Sequence, residues 1–104
     1  MKVEEIKLAF ESNIQLNIVS ILKTDLGKGD SFIVNGRKGI QGVVDGYSNA
    51  INVYKGIIPM ADKYIEMAKA LGDAGIQKNL EDTKKEALSM IKISETAINK
   101  LKSI

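Results

Sequence analysis

The chain has 104 residues, 44% hydrophobic and 27% charged, with a net charge of +2; that is enough for one domain with a modest core and too apolar for a disordered chain. Cys and His are both absent, which excludes a disulfide framework, a thiol nucleophile and Cys-ligated zinc, and removes the commonest general base and metal ligand. The 14 Lys and one Arg alternate with Glu and Asp, so the dense, Arg-bearing face of a dedicated nucleic-acid binder is missing.

Residues 3–24 predict a first helix. Ile6, Phe10, Ile14, Ile18 and Ile21 recur at three or four, and Leu8, Leu16, Val19 and Leu22 widen the apolar surface. The segment Met1–Lys7 is charged and amphipathic and has no apolar run or small-residue cleavage site of the signal-peptide kind. Nothing approaches the ~18 apolar residues of a membrane span. The expectation is a cytoplasmic protein, with leaderless secretion as the other route. A membrane-surface role for residues 2–24 is disfavoured, because their polar side mixes Glu and Lys.

Residues 25–38 read as a Gly-rich loop. Gly27, Gly29 and the Asn35-Gly36 pair are turn signals, and Phe32-Ile33-Val34 has no partner strand. Phe32 and Ile33 are expected to tuck against the helices. The stretch Gly27–Gly39 has no G-x-x-x-x-G-K-[ST] and no strand before it, so it is not a phosphate loop of that kind. Gly36-Arg37-Lys38-Gly39 could meet an anion at the start of the next helix, but a plain basic turn accounts for it.

Residues 39–71 carry the longest pattern. Ile40, Val44, Tyr47, Ile51, Tyr54, Ile58, Ala61, Ile65 and Ala68 alternate at four and three, which places all nine along one side of a helix. Thirty-three residues at ~1.5 Å each give about 50 Å. Pro59 and Gly56 threaten that rod, but the heptad phase is the same on both sides of Pro59, which favours one kinked helix over two. A second line lies off the seam: Gly42, Gly46, Asn49, Val53, Gly56 and Met60. Its small residues would let the first helix, or a second copy of the chain, approach closely.

Gly72-Asp73 predicts the hairpin turn, with Gly72 in the left-handed C-cap position and Asp73 capping the next helix. Residues 74–103 are the second arm. Ile76, Leu80, Ala87, Ile91, Ser94, Ile98 and Leu101 form its stripe, which Lys84 interrupts. A Glu81–Lys85 pair is expected at i,i+4.

The predicted fold is therefore all-α: a long antiparallel helical hairpin plus an N-terminal helix, as a three- or four-helix up-down bundle over 1–104. Carboxylates such as Glu4, Glu5 and Glu11, or Glu81, Asp82 and Glu86, fall at solvent-facing helix positions beside Lys. Di-iron bundles need Glu-x-x-His, which a His-free chain cannot supply. No catalytic, cofactor or metal residue is expected.

A chain of about a hundred residues without Cys or a leader, built on a hairpin that turns at Gly72-Asp73-Ala74-Gly75, resembles the small helical proteins of bacterial type VII secretion. These include the Trp-X-Gly proteins and the helical partners of larger toxins. The resemblance implies hairpins that dimerise, leave the cell without a cleaved leader, or escort a toxin. No Trp stands at the turn, and Tyr47, Tyr54 and Tyr64 are followed four residues later by Ile51, Ile58 and Ala68. No Tyr-x-x-x-Asp/Glu signal is present, so no functional residue carries over.

The expected function is a non-enzymatic interaction protein, a homodimer or a partner or chaperone of a larger protein. Its expected surface is Gly42, Gly46, Val53, Gly56 and Met60. The alternative is a small-ligand or regulatory module using an interhelical cleft or the Gly27–Gly39 segment.

Overall fold

A repeat of apolar residues at alternating four and three can be satisfied only by neighbouring helices. The structure, a computed structural model, describes residues 15–104 and meets that demand with three helices. These are α1 (Gln15–Asn35), α2 (Gly39–Leu71) and α3 (Ala74–Lys102). Helices α2 and α3 form the antiparallel hairpin, and α1 packs chiefly on α2. The bundle is a rod of 54 × 20 × 19 Å. Among the described residues there is no strand.

The hairpin turn follows the chemistry of its residues. Gly72 adopts φ 71°, the left-handed conformation that closes a helix without a Cβ clash. Its amide donates to the carbonyl of Lys69, and the next amide, of Asp73, donates to Ala68. The Asp73 carboxylate then accepts from the Ile76 amide at 3.1 Å, capping α3.

Helix α2 runs unbroken through Pro59. Pro59 and Lys55, the residue four before it, are both exposed. The carbonyl that Pro59 leaves without its helical donor therefore lies on the solvent side of the helix, where water can replace the bond.

The core gathers Ile18, Leu22 and Leu26 from α1 with Ala50, Tyr54, Ile57, Ala61 and Ile65 from α2, and Leu80 and Ala87 from α3. A smaller cluster of Met67 and Ala68, with Tyr64, Leu71 and Ile76 against it, fills the turn end of the hairpin. Full burial of a side chain such as Leu22 contributes about 1.5–3 kcal/mol. Lys84 does not break the α3 stripe. It leaves the core sideways and pairs with Asp62 of α2 at 2.5 Å. Glu81 accepts from Gln77 Nε2 at 2.8 Å instead of pairing with Lys85.

Two sequence expectations fail in α1. The first part of the expected helix 3–24, residues 3–14, lies outside the described residues. The rest is helical, but it does not stop at residue 24. The expected loop 25–38 is helix as far as Asn35, and only Gly36–Lys38 connects α1 to α2. The buried stripe is also displaced by one position: Leu22 is inside and Ile21 is half exposed. The physical reason is the spacing of Leu22, Leu26, Gly29, Ile33 and Gly36, which keeps the four-three period through the glycines. Tertiary packing on that stripe outweighs the roughly 1 kcal/mol that each interior glycine costs relative to Ala.

Gly29 shows how. A Cβ there would overlap the Tyr54 ring, 2.7 Å from its Cζ. The bare backbone is the seat on which the fully buried Tyr54 lies. The Tyr54 hydroxyl donates to the Asp30 carboxylate next to that seat, tying α1 to α2. Burial raises the Tyr54 pKa well above its ordinary value. The hydrogen bond to Asp30 and the negative charges of Asp30 and Glu86 push it in the same direction.

Two stability predictions come from these contacts. Folded Tyr54 holds its proton more tightly than the unfolded chain does. Its contribution is therefore complete below about pH 10, the ordinary Tyr value, and is lost as pH rises above that. In urea titrations between pH 8 and 11, Tyr54→Phe should be less stable by about 1 kcal/mol at the low end, and the difference from wild type should shrink as pH rises. The Ser94 hydroxyl is fully buried without a hydrogen-bond partner, so Ser94→Ala should leave stability unchanged or raise it by about 1 kcal/mol. A loss of more than about 1 kcal/mol in the same assay would mean that the hydroxyl is satisfied.

Candidate functional site

The small-residue line of α2 divides in two. Its first half is closed by α1. A Cβ on Gly46 would stand 2.6 Å from the Phe32 carbonyl oxygen and 3.1 Å from the Gly36 Cα, and one on Gly36 would stand 2.8 Å from the Gly42 carbonyl oxygen. The last turn of α1 thus rests on the first turns of α2 backbone to backbone. Gly46 is buried and Gly42 half-buried. Their expected place on an intermolecular surface is corrected: the first helix itself occupies that half.

The second half is open. Gly56 has nothing within 4 Å of where a Cβ would stand, Met60 is exposed, and Val53 is half-buried. Val53 lines a groove of about 240 Å³ with Lys28, Ser31, Phe32 and Asn35 of α1. These α1 residues share a stripe with Ile21 and Asp25, because 21, 25, 28, 32 and 35 are spaced at four and three. That stripe lies one residue, about 100°, before the buried stripe of Leu22, Leu26, Gly29 and Ile33. The tether from Asp30 to Tyr54 leaves α1 on the opposite flank. The groove therefore opens on an α1–α2 surface with the exposed Phe32 on its wall. Ile21, on the same α1 stripe, and Met60 of α2 are exposed as well.

The sequence pattern singles out the α2 wall of this groove and misses the α1 wall, since residues 25–38 read as loop. The signal lies in the same spacing. Phe32 is not tucked in, being 43% exposed, whereas Ile33 packs on the core.

A second groove, about 480 Å³, lies between α2 and α3. Its walls carry Asp62, Glu66, Lys69, Glu81, Lys84 and Lys85 around Ile65 and Leu88. Lys84 is already paired with Asp62, and Lys69 stands 3.6 Å from Glu66. Charges of both signs therefore largely answer one another. At the Gly36–Gly39 connection the Lys38 amide donates to the Gly36 carbonyl at 3.0 Å, and Gly39 takes φ 76°. That is an ordinary tight turn. No group of three or more potential ligands for a metal occurs among the described residues, and no helix there is long and apolar enough to cross a membrane.

No family model matches the chain, and neither a curated protein nor a solved structure does. The groove's own chemistry is what bears on function. It offers apolar contacts and a flanking ion pair, Lys28 with Asp25 at 3.8 Å.

The two halves of the small-residue line should respond oppositely to substitution. Gly46→Leu forces a side chain into the Phe32 backbone and should cost about 3 kcal/mol or more by chemical denaturation. Gly56→Ala adds a methyl into open space within a helix and should gain up to about 1 kcal/mol. Equal effects at the two positions would mean that α1 is not seated on Gly46.

Proposed function

We propose that this chain is a non-enzymatic helical interaction protein whose docking surface is the α1–α2 groove. The observation that carries the reading is the open half of the small-residue line. Phe32 and Val53 line the groove. Gly56 and Met60, three and seven residues after Val53 on α2, and Ile21 on the same α1 stripe as Phe32 are exposed. Apolar side chains grouped on one face of a monomer mark interaction sites more often than singly scattered ones. The groove has the form in which a partner helix lays its apolar face between two others. The resemblance to the small helical proteins of type VII secretion, which implies hairpins that dimerise or escort a larger protein, is of the same class as this reading.

A second reading has one observation in its favour. The α2–α3 groove is a cleft of about 480 Å³, a size that suits a small ligand, and Lys85 stands on its wall beside the paired Lys69 and Lys84. Under that reading, phosphate-containing metabolites raise the melting temperature, because a ligand that binds only the folded chain stabilises it.

A photo-reactive amino acid at position 60 tests the first reading in the cells that make the protein. It should give one discrete adduct, competed away by excess unmodified chain. The same probe at Lys78, on α3 and outside the groove, should give none. Identical adduct patterns at both positions would remove the groove as the docking surface.

A further inference from the structure

The exposed stripe of α1 is a palindrome in chemical terms. Read from residue 21 it runs Ile21, Asp25, Lys28, Phe32: apolar, acidic, basic, apolar, at spacings of four, three and four. Ile21 is 50% exposed and Phe32 43%. Lys28 is open, and Asp25 is about one-third exposed. A helix laid antiparallel on such a stripe, turned about an axis between residues 25 and 28, meets it in register. Ile21 then faces Phe32 of the second copy, and Asp25 faces Lys28 of the second copy. Both contacts occur twice, as an isologous two-fold interface requires. A parallel pairing would bring like charges together at both central positions.

Resting on the interaction reading and naming its partner, we propose that the α1–α2 groove docks the same groove of a second copy of this chain, α1 against α1, antiparallel. The α2 wall supports the pairing. Val53 lines the groove beside Lys28 and Phe32, and Met60 is exposed two turns further along α2. Gly56 leaves the space between them free, so that the second copy approaches without displacing a side chain. Charge complementarity sets the register. Asp25 and Lys28 of one chain sit 3.8 Å apart, so each keeps capacity for a second partner across the axis. Two other depressions are poorer in this respect: among their described lining residues, that of Lys92, Ile93, Thr96, Ala97 and Lys100 has one exposed large apolar side chain, Ile93, and the α2–α3 groove has one, Leu88.

The test uses charge reversal on the full chain, read by light scattering and sedimentation over a wide concentration range, with circular dichroism to follow helicity. Wild type should pass from monomer to dimer as concentration rises. Asp25→Lys alone places Lys against Lys twice, and Lys28→Asp alone places Asp against Asp twice. Each should weaken self-association at least about tenfold while helicity stays unchanged. An equimolar mixture of the two single variants should associate as a heterodimer, and the double variant D25K/K28D should recover a homodimer. The interface is overturned by a mixture that associates no better than its components. It is also overturned by a wild-type chain that stays monomeric throughout. That second result stands even where the probe at position 60 captures a different protein, so the pairing and the interaction reading fail separately.

Discussion

Everything else in the bundle is arranged around one contact in which no side chain takes part. Gly36, just past the end of α1, lies against Gly42 and Gly46 of α2, backbone on backbone. Two helices usually keep 8–10 Å between axes because side chains fill the space. Removing the side chains at the crossing lets the end of α1 settle onto the start of α2. That close approach carries the rest of α1 down onto the hairpin. It brings Gly29 under the Tyr54 ring, Asp30 to the Tyr54 hydroxyl, and Leu22 and Leu26 into the core. A glycine-rich segment with poor helix propensity is thereby held as helix by what it touches.

The same crossing decides which surfaces remain. Closing one half of the glycine line on α1 uses that half up inside the molecule. The outer half, around Gly56, is left facing outward beside a stripe of α1 that the crossing turns toward it. The α1–α2 groove is thus a by-product of how α1 is seated. A residue's worth to the surface cannot be judged from its type alone, because Gly46 and Gly56 look alike in the sequence and have opposite situations in the fold.

The hairpin is legible in the sequence because its signals are local and agree with one another. The heptad phase of α2 survives Pro59, and Gly72 and Asp73 supply the two halves of a turn between helices. The extent of α1 is not legible, because glycine carries two meanings. Gly27, Gly29 and Gly36 read as breakers when propensity is weighed one residue at a time. They read as contact positions once Leu22, Leu26, Gly29, Ile33 and Gly36 are seen to keep step. Which meaning holds depends on Tyr54 and Gly46, remote in sequence. The error then spreads to the site: with residues 25–38 read as loop, Val53, Gly56 and Met60 stand out as one wall, and Lys28 and Phe32 do not stand out as the other. Lys84 has the same ambiguity on a smaller scale, since the Asp62 that receives it sits on a different helix.

The connections between helices have a kinetic consequence. Gly36–Lys38 joins α1 to α2, and Gly72–Asp73 joins α2 to α3, so each helix packs mainly on the one that precedes or follows it in the chain. Little of the loop-closure entropy that slows sheet proteins has to be overcome before native contacts form. A topology of this kind belongs among those that fold in microseconds to milliseconds. The hairpin closes through a capped two-residue turn, whereas α1 beyond Asp25, with its two glycines, is held helical by its contacts with Tyr54 and Gly46. The contacts around the turn at Gly72 are therefore among those that need the least loop closure to form.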